Sequence, residues 1–340
     1  MTPKRILSGV QPSGKLHLGN YYGAIRQFVE LQHQGEALYF IADLHALTSL
    51  RDGAALKQNT RDVALDFIAL GLDADKAILF RQSDVPEIPE LFWILSTVTP
   101  VALIERGHSY KEKTAQGTPA DVGLFAYPIL MAADILAYRS EIVPVGRDQK
   151  QHLEFARDIA TKFNQSYVPK YDPADPEGKE KGHAPGILKL PEPLIRDETA
   201  VVPGIDGQKM SKSYGNTIEL FADDASVKKR IMSIKTDSTA VEAPKDHAQS
   251  TVFALIKLMA GVDEIRSVEE SFRRGGKGYG DYKKRLVELF FEAFGPARQR
   301  RAELAKDPGR IDQLLARGAE RARTIAAPVL DEVRRACGLR

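Results

Sequence analysis

The segment ALYFIAD, at residues 37–43, is an apolar run that ends in a carboxylate. Its length and its branched and aromatic side chains predict a buried β-strand with Asp43 at its carboxyl end. On either side, the pattern predicts strands over 5–8, ending at Gly9, and over 76–80, and helices over 22–34, 54–70 and 90–98. Strands that alternate with helices predict a parallel sheet covered by helices on both faces. Ligands of such a sheet bind beyond the carboxyl ends of the strands.

The rest of the chain divides into two parts. The α/β pattern continues with a strand over 141–145, a helix beginning near Asp148, a Pro-, Gly- and Lys-rich surface excursion at 165–193 and a strand over 199–203. Beyond Asn216 the apolar spacing is helical nearly to the end, with a glycine-rich interruption at 275–280. We predict an α/β domain over residues 1–215, with a helical insertion around 100–140, and a helical domain over 216–340.

Composition excludes several classes of protein. The 340 residues are 43% hydrophobic and 28% charged, which is an ordinary globular balance. The sequence has no run of about 18 apolar residues, so we expect no transmembrane helix. Cys337 is the single cysteine, and the first residues lack a long apolar signal segment. We therefore expect a cytoplasmic protein without an internal disulfide.

The net charge of +2 hides an uneven distribution. Residues 271–340 contain 17 Lys and Arg against 9 Asp and Glu, a net charge of +8, so the first 270 residues carry −6. A basic segment of this kind predicts contact with a polyanion, and a solvated helical face explains the charge equally well.

A first motif follows the first predicted strand. GVQPSGKL, at residues 9–16, almost matches a phosphate-binding P-loop, but Leu16 lacks the hydroxyl that binds Mg²⁺ and Pro12 lacks an N–H. A P-loop ATPase, with Asp43 as its second carboxylate, is therefore the weaker interpretation. QPSG at 11–14 and HLGN at 17–20, directly before a helix, suit a nucleotide better, because an imidazole there can donate to a phosphate and Gly19 leaves room for a flat adenine.

A second motif, KMSKS, occupies residues 209–213 after a turn-rich segment at 204–208. Its two ammonium groups and two hydroxyls can surround a triphosphate. A generic Lys/Ser loop is usually only solvated, so the order of the residues and the pairing with HLGN carry the argument.

HLGN and KMSKS together resemble the HIGH and KMSKS motifs of class I aminoacyl-tRNA synthetases. Within that class the chain is similar to the bacterial tryptophanyl-tRNA synthetases, and the similar segments are 8–14, 43–46, 111–113, 127–136, 143–152 and 275–280. The resemblance implies a Rossmann-like parallel sheet of the HUP nucleotide-binding type with a C-terminal all-helical domain. The chain departs from the pattern at Asn20, at Arg147 and in the long excursion at 172–189, for which we have no function.

The resemblance also implies the reaction. L-Tryptophan and ATP would give tryptophanyl-adenylate and diphosphate, and the acyl group would then pass to the 3′-terminal adenosine of tRNA(Trp). No enzyme nucleophile is needed, because the protein aligns the substrates and neutralises charge that develops on the leaving diphosphate. Mg²⁺ would be held mainly by the phosphates, with no metal site on the protein. The implied partners are tryptophan, ATP, tRNA(Trp) and a second copy of the chain, with no membrane.

The resemblance assigns the site residues by position. The catalytic set is His17, Lys113, Lys209 and Lys212. The ATP-binding set is Gln11, Pro12, Ser13, His17, Gly19, Asn20, Gly146, Arg147, Asp148, Val201, Lys209, Met210, Ser211, Lys212 and Ser213. For Asp148, an ordinary helix N-cap is an alternative role that does not conflict with ribose binding.

Recognition of indole requires apolar walls and one acceptor for its N–H, because an unpaired buried N–H costs about 1–3 kcal/mol. Asp134 is a carboxylate within the apolar segment MAADIL at 131–136. A helix salt bridge would explain Asp134 about as well from the sequence alone, whereas the resemblance places it at the indole N–H. The residues implied around it are Met131, Tyr127, Gln149, His45 and Leu7, of which His45 and Leu7 are equally consistent with an ordinary core.

The C-terminal helices resemble the family's anticodon-binding domain. Their basic residues Arg298, Arg300, Arg301, Arg317, Arg321 and Arg323 would contact tRNA phosphates and make binding sensitive to salt. Three alternatives remain open at this point: a tyrosyl-tRNA synthetase, another nucleotidyltransferase with a similar His motif, and an RNA-binding relative without activity.

Overall fold

A parallel sheet of five strands forms the centre of the molecule. The computed structural model describes residues 4–106, 121–144, 150–194 and 202–339. The strands are β1 (Arg5–Val10), β2 (Glu36–Ile41), β3 (Ile78–Arg81), β4 (Ile142–Pro144) and β5 (Glu192–Leu194). Their order across the sheet is β3-β2-β1-β4-β5, and every neighbouring pair is parallel. This confirms the predicted Rossmann-like α/β class, with the crossover between β1 and β4 opening a cleft at the carboxyl edge.

Helices surround the sheet and make up most of the second half. They are α1 (Leu18–Asn20), α2 (Arg26–Leu31), α3 (Asp43–Ala46), α4 (Gly53–Ala69), α5 (Glu87–Val98), α6 (Val101–Glu105), α7 (Val122–Leu136), α8 (Lys150–Tyr167), α9 (Asp224–Met232), α10 (Thr251–Met259), α11 (Val262–Arg274), α12 (Tyr279–Leu304) and α13 (Pro308–Ala336). A π-helical turn at Tyr21–Ile25 joins α1 to α2, and 3₁₀ turns occupy Gln82–Asp84 and Lys212–Tyr214.

Alternate residues of the strands face two apolar clusters, one on each side of the sheet. Ile6 and Tyr39 belong to the first cluster, which α2, α4 and the helices from α9 to α12 complete. Leu7 and Phe40 belong to the second, with α5, α7 and α8. Period-two alternation within buried strands therefore places helices on both faces, as predicted.

The last helix passes from one side of the sheet to the other. Ile311 and Leu315 of α13 lie in the first cluster, and the segment from Ala319 to Val333 contributes to the second. At the crossing, Gly318 lies so close to β3 that a Cβ would fall 1.9 Å from the carbonyl oxygen of Leu79. Both clusters thus contain residues from before and after position 215, and the domain boundary there stays a prediction.

Several predicted elements differ from the structure at their ends. β1 continues through Gly9, where the ring of Phe40 lies 2.4 Å from the position of a Cβ and so requires glycine. The first helix begins at Leu18 rather than residue 22. Asp43 does not end a strand but begins α3, and its carboxylate accepts hydrogen bonds from the N–H and hydroxyl of Ser83. Ser83 thus fixes the Asp43 carboxylate at the start of α3.

Most of the C-terminal arginines chosen as phosphate contacts bind the chain itself. Arg300 donates to the carbonyl of Ala69, and Arg323 pairs with Glu87. Arg298, Arg301 and Arg321 also donate to groups of the same chain. Five of the six arginines therefore hold α12 and α13 against the rest of the protein. Among the helices that the structure describes, none has both the length and the apolar character needed to cross a membrane.

Candidate active site

A cavity of about 380 Å³ opens at the carboxyl ends of β1, β2 and β4. The side chains of Tyr127, Met131 and Asp134 reach it from α7, where a spacing of four and then three residues puts them on one helical face. Leu7 lines the cavity from β1 and His45 from α3. Five of the six side chains predicted for a tryptophan pocket thus lie around one cavity of ligand size.

Asp134 is the charged centre of this cavity and is only 1% exposed. The Nε2 atom of Gln82 lies 2.8 Å from each of its carboxylate oxygens, and the ring Nε2 of His45 lies 2.9 Å from Oδ2. Burial and the nearby charge of Asp43 raise the pKa of Asp134, while the hydrogen bonds from His45 and Gln82 oppose that rise. These donors stabilise the acceptor form of a carboxylate in an apolar surrounding.

The first motif places a buried imidazole at the start of α1. The backbone N–H of His17 donates to the side chain of Asn20. Gly19 lies against the His17 ring: a Cβ at residue 19 would be 3.0 Å from the ring atoms. The His17 Nδ1 atom is buried without a hydrogen-bond partner among the described groups. Burial, helped by the charge of Lys212, lowers the pKa of His17 to about 4. His17 is therefore neutral at pH 7, with one ring nitrogen available as a donor.

The second motif forms an exposed loop that is supported by the buried side chains of Met210 and Asn216. Met210 is buried against Gly19, whereas Lys209 and Lys212 are exposed. Asn216 holds this loop together: its Oδ1 accepts the N–H of Ser211 at 2.8 Å, and its Nδ2 donates to the Lys209 carbonyl at 3.1 Å.

The two motifs are in direct contact. The Lys212 ammonium lies 3.3 Å from the Ser13 carbonyl oxygen and 3.4 Å from its hydroxyl. Behind them, residues 217–220 run antiparallel to the first motif: the Leu18 N–H donates to Ile218 and the Leu220 N–H to Leu16. Although Lys212 is exposed as a residue, partial desolvation of its ammonium group beside the first motif lowers its pKa. Residues 9–11 of the first motif line the wall of the Asp134 cavity, so the first motif connects that cavity with the Lys212 loop.

Comparisons with known proteins agree with this geometry. Residues 1–295 match the family described as tRNA synthetases class I (W and Y). Curated tryptophan–tRNA ligases from Fusobacterium nucleatum and Rhodopirellula baltica are 50% and 51% identical to the chain, over 99% of it and 98% and 100% of their own lengths. The chain belongs to the tryptophan–tRNA ligases. The solved tryptophanyl-tRNA synthetase of Campylobacter jejuni, complexed with ADP and tryptophan, has a TM-score of 0.89 at 46% identity and covers 98% of this chain and 99% of its own.

Membership of the tryptophan–tRNA ligases decides between the alternatives left open by the motifs. The chain is a class I ligase and not a P-loop ATPase or another nucleotidyltransferase. A tyrosyl-tRNA synthetase from Archaeoglobus fulgidus is only 20% identical, at a TM-score of 0.59, and shares the fold alone.

Some of the predicted residues of the ligase site are not covered by the structure. Lys113, Gly146, Arg147, Asp148, Gln149 and Val201 lie outside the described residues, and their roles stay predictions. Conversely, Gln82 and Asn216 were missed from the sequence. Gln82 follows directly after β3, at the same sheet edge as the cavity, and that position was the available signal.

Proposed function

We propose that the cleft between Asp134 and the two motif loops is where this chain activates L-tryptophan with ATP. The product is tryptophanyl-adenylate, diphosphate is released, and the acyl group is transferred to the 3′-terminal adenosine of tRNA(Trp). The observation that carries the assignment is the buried carboxylate of Asp134, which faces an otherwise largely apolar cavity lined by residues 9–11 of the first motif, beside the contact between Ser13 and Lys212.

Tryptophan selection rests on the chemistry of the indole ring. Its N–H only donates, and Asp134 offers an ionised acceptor at the wall of the cavity. Leu7 and Met131 supply apolar contact for the ring, with His45 at its edge. Tyr127 and Gln149 would bind the amino group.

Adenylate formation needs alignment and charge neutralisation. An oxygen of the tryptophan carboxylate attacks the α-phosphorus of ATP, and the bond from that phosphorus to the bridging oxygen of diphosphate breaks. Neutral His17 would donate to a phosphate oxygen and Gly19 would pack on adenine. Lys209 and Lys212, with Lys113, would neutralise the leaving diphosphate. Gly146 and Asp148 would bind the ribose, and Arg147 and Val201 would also belong to the ATP-binding set.

The Mg²⁺ that accompanies ATP would be held by phosphate oxygens. Within residues 9–20 and 209–213, the described polar side chains include the ammonium groups of Lys15, Lys209 and Lys212 and the hydroxyls of Ser13, Ser211 and Ser213, and there is no carboxylate. This donor set suits phosphate oxygens better than a divalent cation, which prefers carboxylates and carbonyls.

Three further assignments complete the proposal. Residues 216–340 would bind the anticodon arm, and exposed Arg317 in α13 is the member of the predicted basic set that the described contacts leave available. The chain would act as a homodimer, because the large apolar side chains of Trp93, Val101 and Val122 are 60–81% exposed on neighbouring helices. The site of action would be the cytoplasm.

The test is ATP–diphosphate exchange with purified protein, Mg²⁺ and each amino acid in turn. We expect exchange with tryptophan alone, and Asp134→Asn should raise the KM for tryptophan far more than the KM for ATP. Exchange driven by tyrosine would overturn the assignment of Asp134, and equal losses for both substrates in the variant would also contradict it.

A further inference from the structure

Gln82 contacts Asp134 without lining the cavity itself. It is 1% exposed. It follows β3 at the first position of a 3₁₀ turn, so a rigid strand fixes its backbone. Any effect of Gln82 on the substrate must therefore pass through the described cavity residues that it contacts, which are the Asp134 carboxylate at 2.8 Å and, more weakly, the backbone N–H of His45 at 3.4 Å.

The orientation of the Gln82 amide is determined by its neighbours. Its Oε1 accepts the backbone N–H of Leu44 at 3.1 Å and of His45 at 3.4 Å, and backbone N–H groups can only donate. The Nε2 group therefore faces Asp134. If the amide were reversed, its NH₂ group would face the N–H donors of Leu44 and His45, and its carbonyl would face the Asp134 carboxylate. Both arrangements are unfavourable.

The contacts that Asp134 makes with the described residues leave one of its acceptor positions for a ligand. A carboxylate offers about four lone-pair sites. Gln82 contacts both oxygens, and His45 contacts Oδ2, so three of these sites are taken. The remaining site is on Oδ1. One further N–H is the number that an indole ring supplies.

We propose that Gln82 is a positioning residue for tryptophan selection, which holds the Asp134 carboxylate ionised and aimed so that its free acceptor site meets the indole N–H. The inference rests on the proposed role of Asp134. Gln82 fixes the plane of the Asp134 carboxylate through two contacts of 2.8 Å. Because it also binds the backbone of Leu44, it links α3 to α7. Loss of its NH₂ group leaves His45 as the one remaining contact of the described set and lets the buried acid take up a proton.

The experiment compares two substrates in ATP–diphosphate exchange: L-tryptophan and 3-(3-benzothienyl)-alanine, in which sulfur replaces the indole N–H. A site built around an N–H acceptor discriminates strongly against an analogue without the N–H. Gln82→Met keeps the length of the side chain without its amide. We expect it to reduce the preference for tryptophan by about 10- to 100-fold, the effect of one hydrogen bond to a charged group, through the KM for tryptophan. The KM for ATP and the rate with the analogue should stay near those of the unaltered protein.

Gln82→Glu provides a readout that a purely structural role would not produce. Glu at this position keeps an acceptor for the N–H groups of Leu44 and His45, but it places a second carboxylate next to that of Asp134. The KM for tryptophan should therefore be high at pH 8 and fall at pH 6, where one proton can be shared between the two acids. Four other titratable groups face this pair: His45 and Asp43 on α3, Tyr127 on α7 and Tyr138 in the turn after α7. All four are also present in the unaltered protein. Its own pH profile is therefore the reference.

Ser83→Ala is the matched control, because Ser83 is the next residue of the same turn and its hydroxyl binds Asp43 instead of Asp134. It should leave the preference for tryptophan unchanged. If both Gln82 variants keep the preference while Asp134→Asn loses it, the positioning role is wrong and the proposed function stands. If Asp134→Asn keeps the preference, the positioning role and the assignment of Asp134 to the indole N–H are both wrong, whereas tryptophan-dependent exchange by the unaltered protein tests the function itself. Equal losses for the two substrates in Gln82→Met would also overturn the positioning role.

Discussion

Arg298 on α12 provides the sharpest test of how the C-terminal helices act on the ATP-binding motifs. Its guanidinium donates to the carbonyls of Leu220 and Ala222 at 2.5 and 2.6 Å, and it pairs with Asp224. The segment that it holds runs beside the first motif, where the Leu220 N–H donates to Leu16. Arg298→Ala therefore removes the fixation of a segment that positions His17.

The size of the effect follows from these contacts. A hydrogen bond to a charged group contributes about 1.5–3 kcal/mol, so losing two costs about 3 kcal/mol once water reaches the carbonyls. Asp224 is largely exposed, and its ion pair adds little. At about 2 °C per kcal/mol for a chain of this size, Tm should fall by about 6 °C.

The assay combines thermal unfolding with steady-state ATP–diphosphate exchange. We expect a raised KM for ATP and an almost unchanged KM for tryptophan, because the segment at 220–224 that Arg298 holds contacts the first motif and not the indole cavity. Arg300→Ala is the matched control: it lies two residues away on α12 and donates to Ala69 of α4. It should lose stability without a change in the KM for ATP. A lower Tm with an unchanged KM for ATP in Arg298→Ala would refute the coupling.

Three further predictions concern the two motifs. Because its pKa is lowered to about 4 in the fold against an ordinary 6.5, His17 stabilises the folded chain above pH 6.5 and loses that contribution as the pH falls toward 4. The difference in unfolding free energy between the unaltered protein and His17→Gln should shrink from pH 7.5 to pH 5 in urea titrations, and a constant difference would contradict this. Asn216→Ala removes the buried bonds that support the second motif, and the KM for ATP should rise about 10-fold in exchange assays while that for tryptophan stays the same. Gly19→Ala brings a Cβ to 3.0 Å from the His17 ring and should lower kcat/KM for ATP about 10-fold, whereas Gly53→Ala, with open space around it, should have no effect.

The fold was largely predictable because its signals are local. Apolar runs of strand length between helical segments identified β1, β2 and β3 as strands, and parallel order followed from the helices between them. The ends were less predictable: Asp43 begins a helix because Ser83, distant in sequence, holds its carboxylate. Such a tertiary contact has no counterpart in the local pattern.

The candidate site was predictable where residues carry charge or belong to an ordered motif. Asp134 stood out as an acid within an apolar helix, and KMSKS by its order. Gln82 and Asn216 did not, because a neutral amide gives no charge signal and its importance depends on which groups face it. The arginines of α12 and α13 show the converse: composition gives the number of charges but not whether they face solvent or the rest of the chain.

The path of α13 has a consequence for synthesis of the protein on the ribosome. The contact between Arg323 and Glu87 joins residues 236 positions apart, and Gly318 closes against the backbone of β3, the outermost strand on its side. During translation, β3 and the helices around it emerge long before the segment that covers them. Until α13 is made, a strand edge stays open to pairing with other nascent chains. Completion of this enzyme's core therefore waits until α13 has been synthesised and has packed against β3.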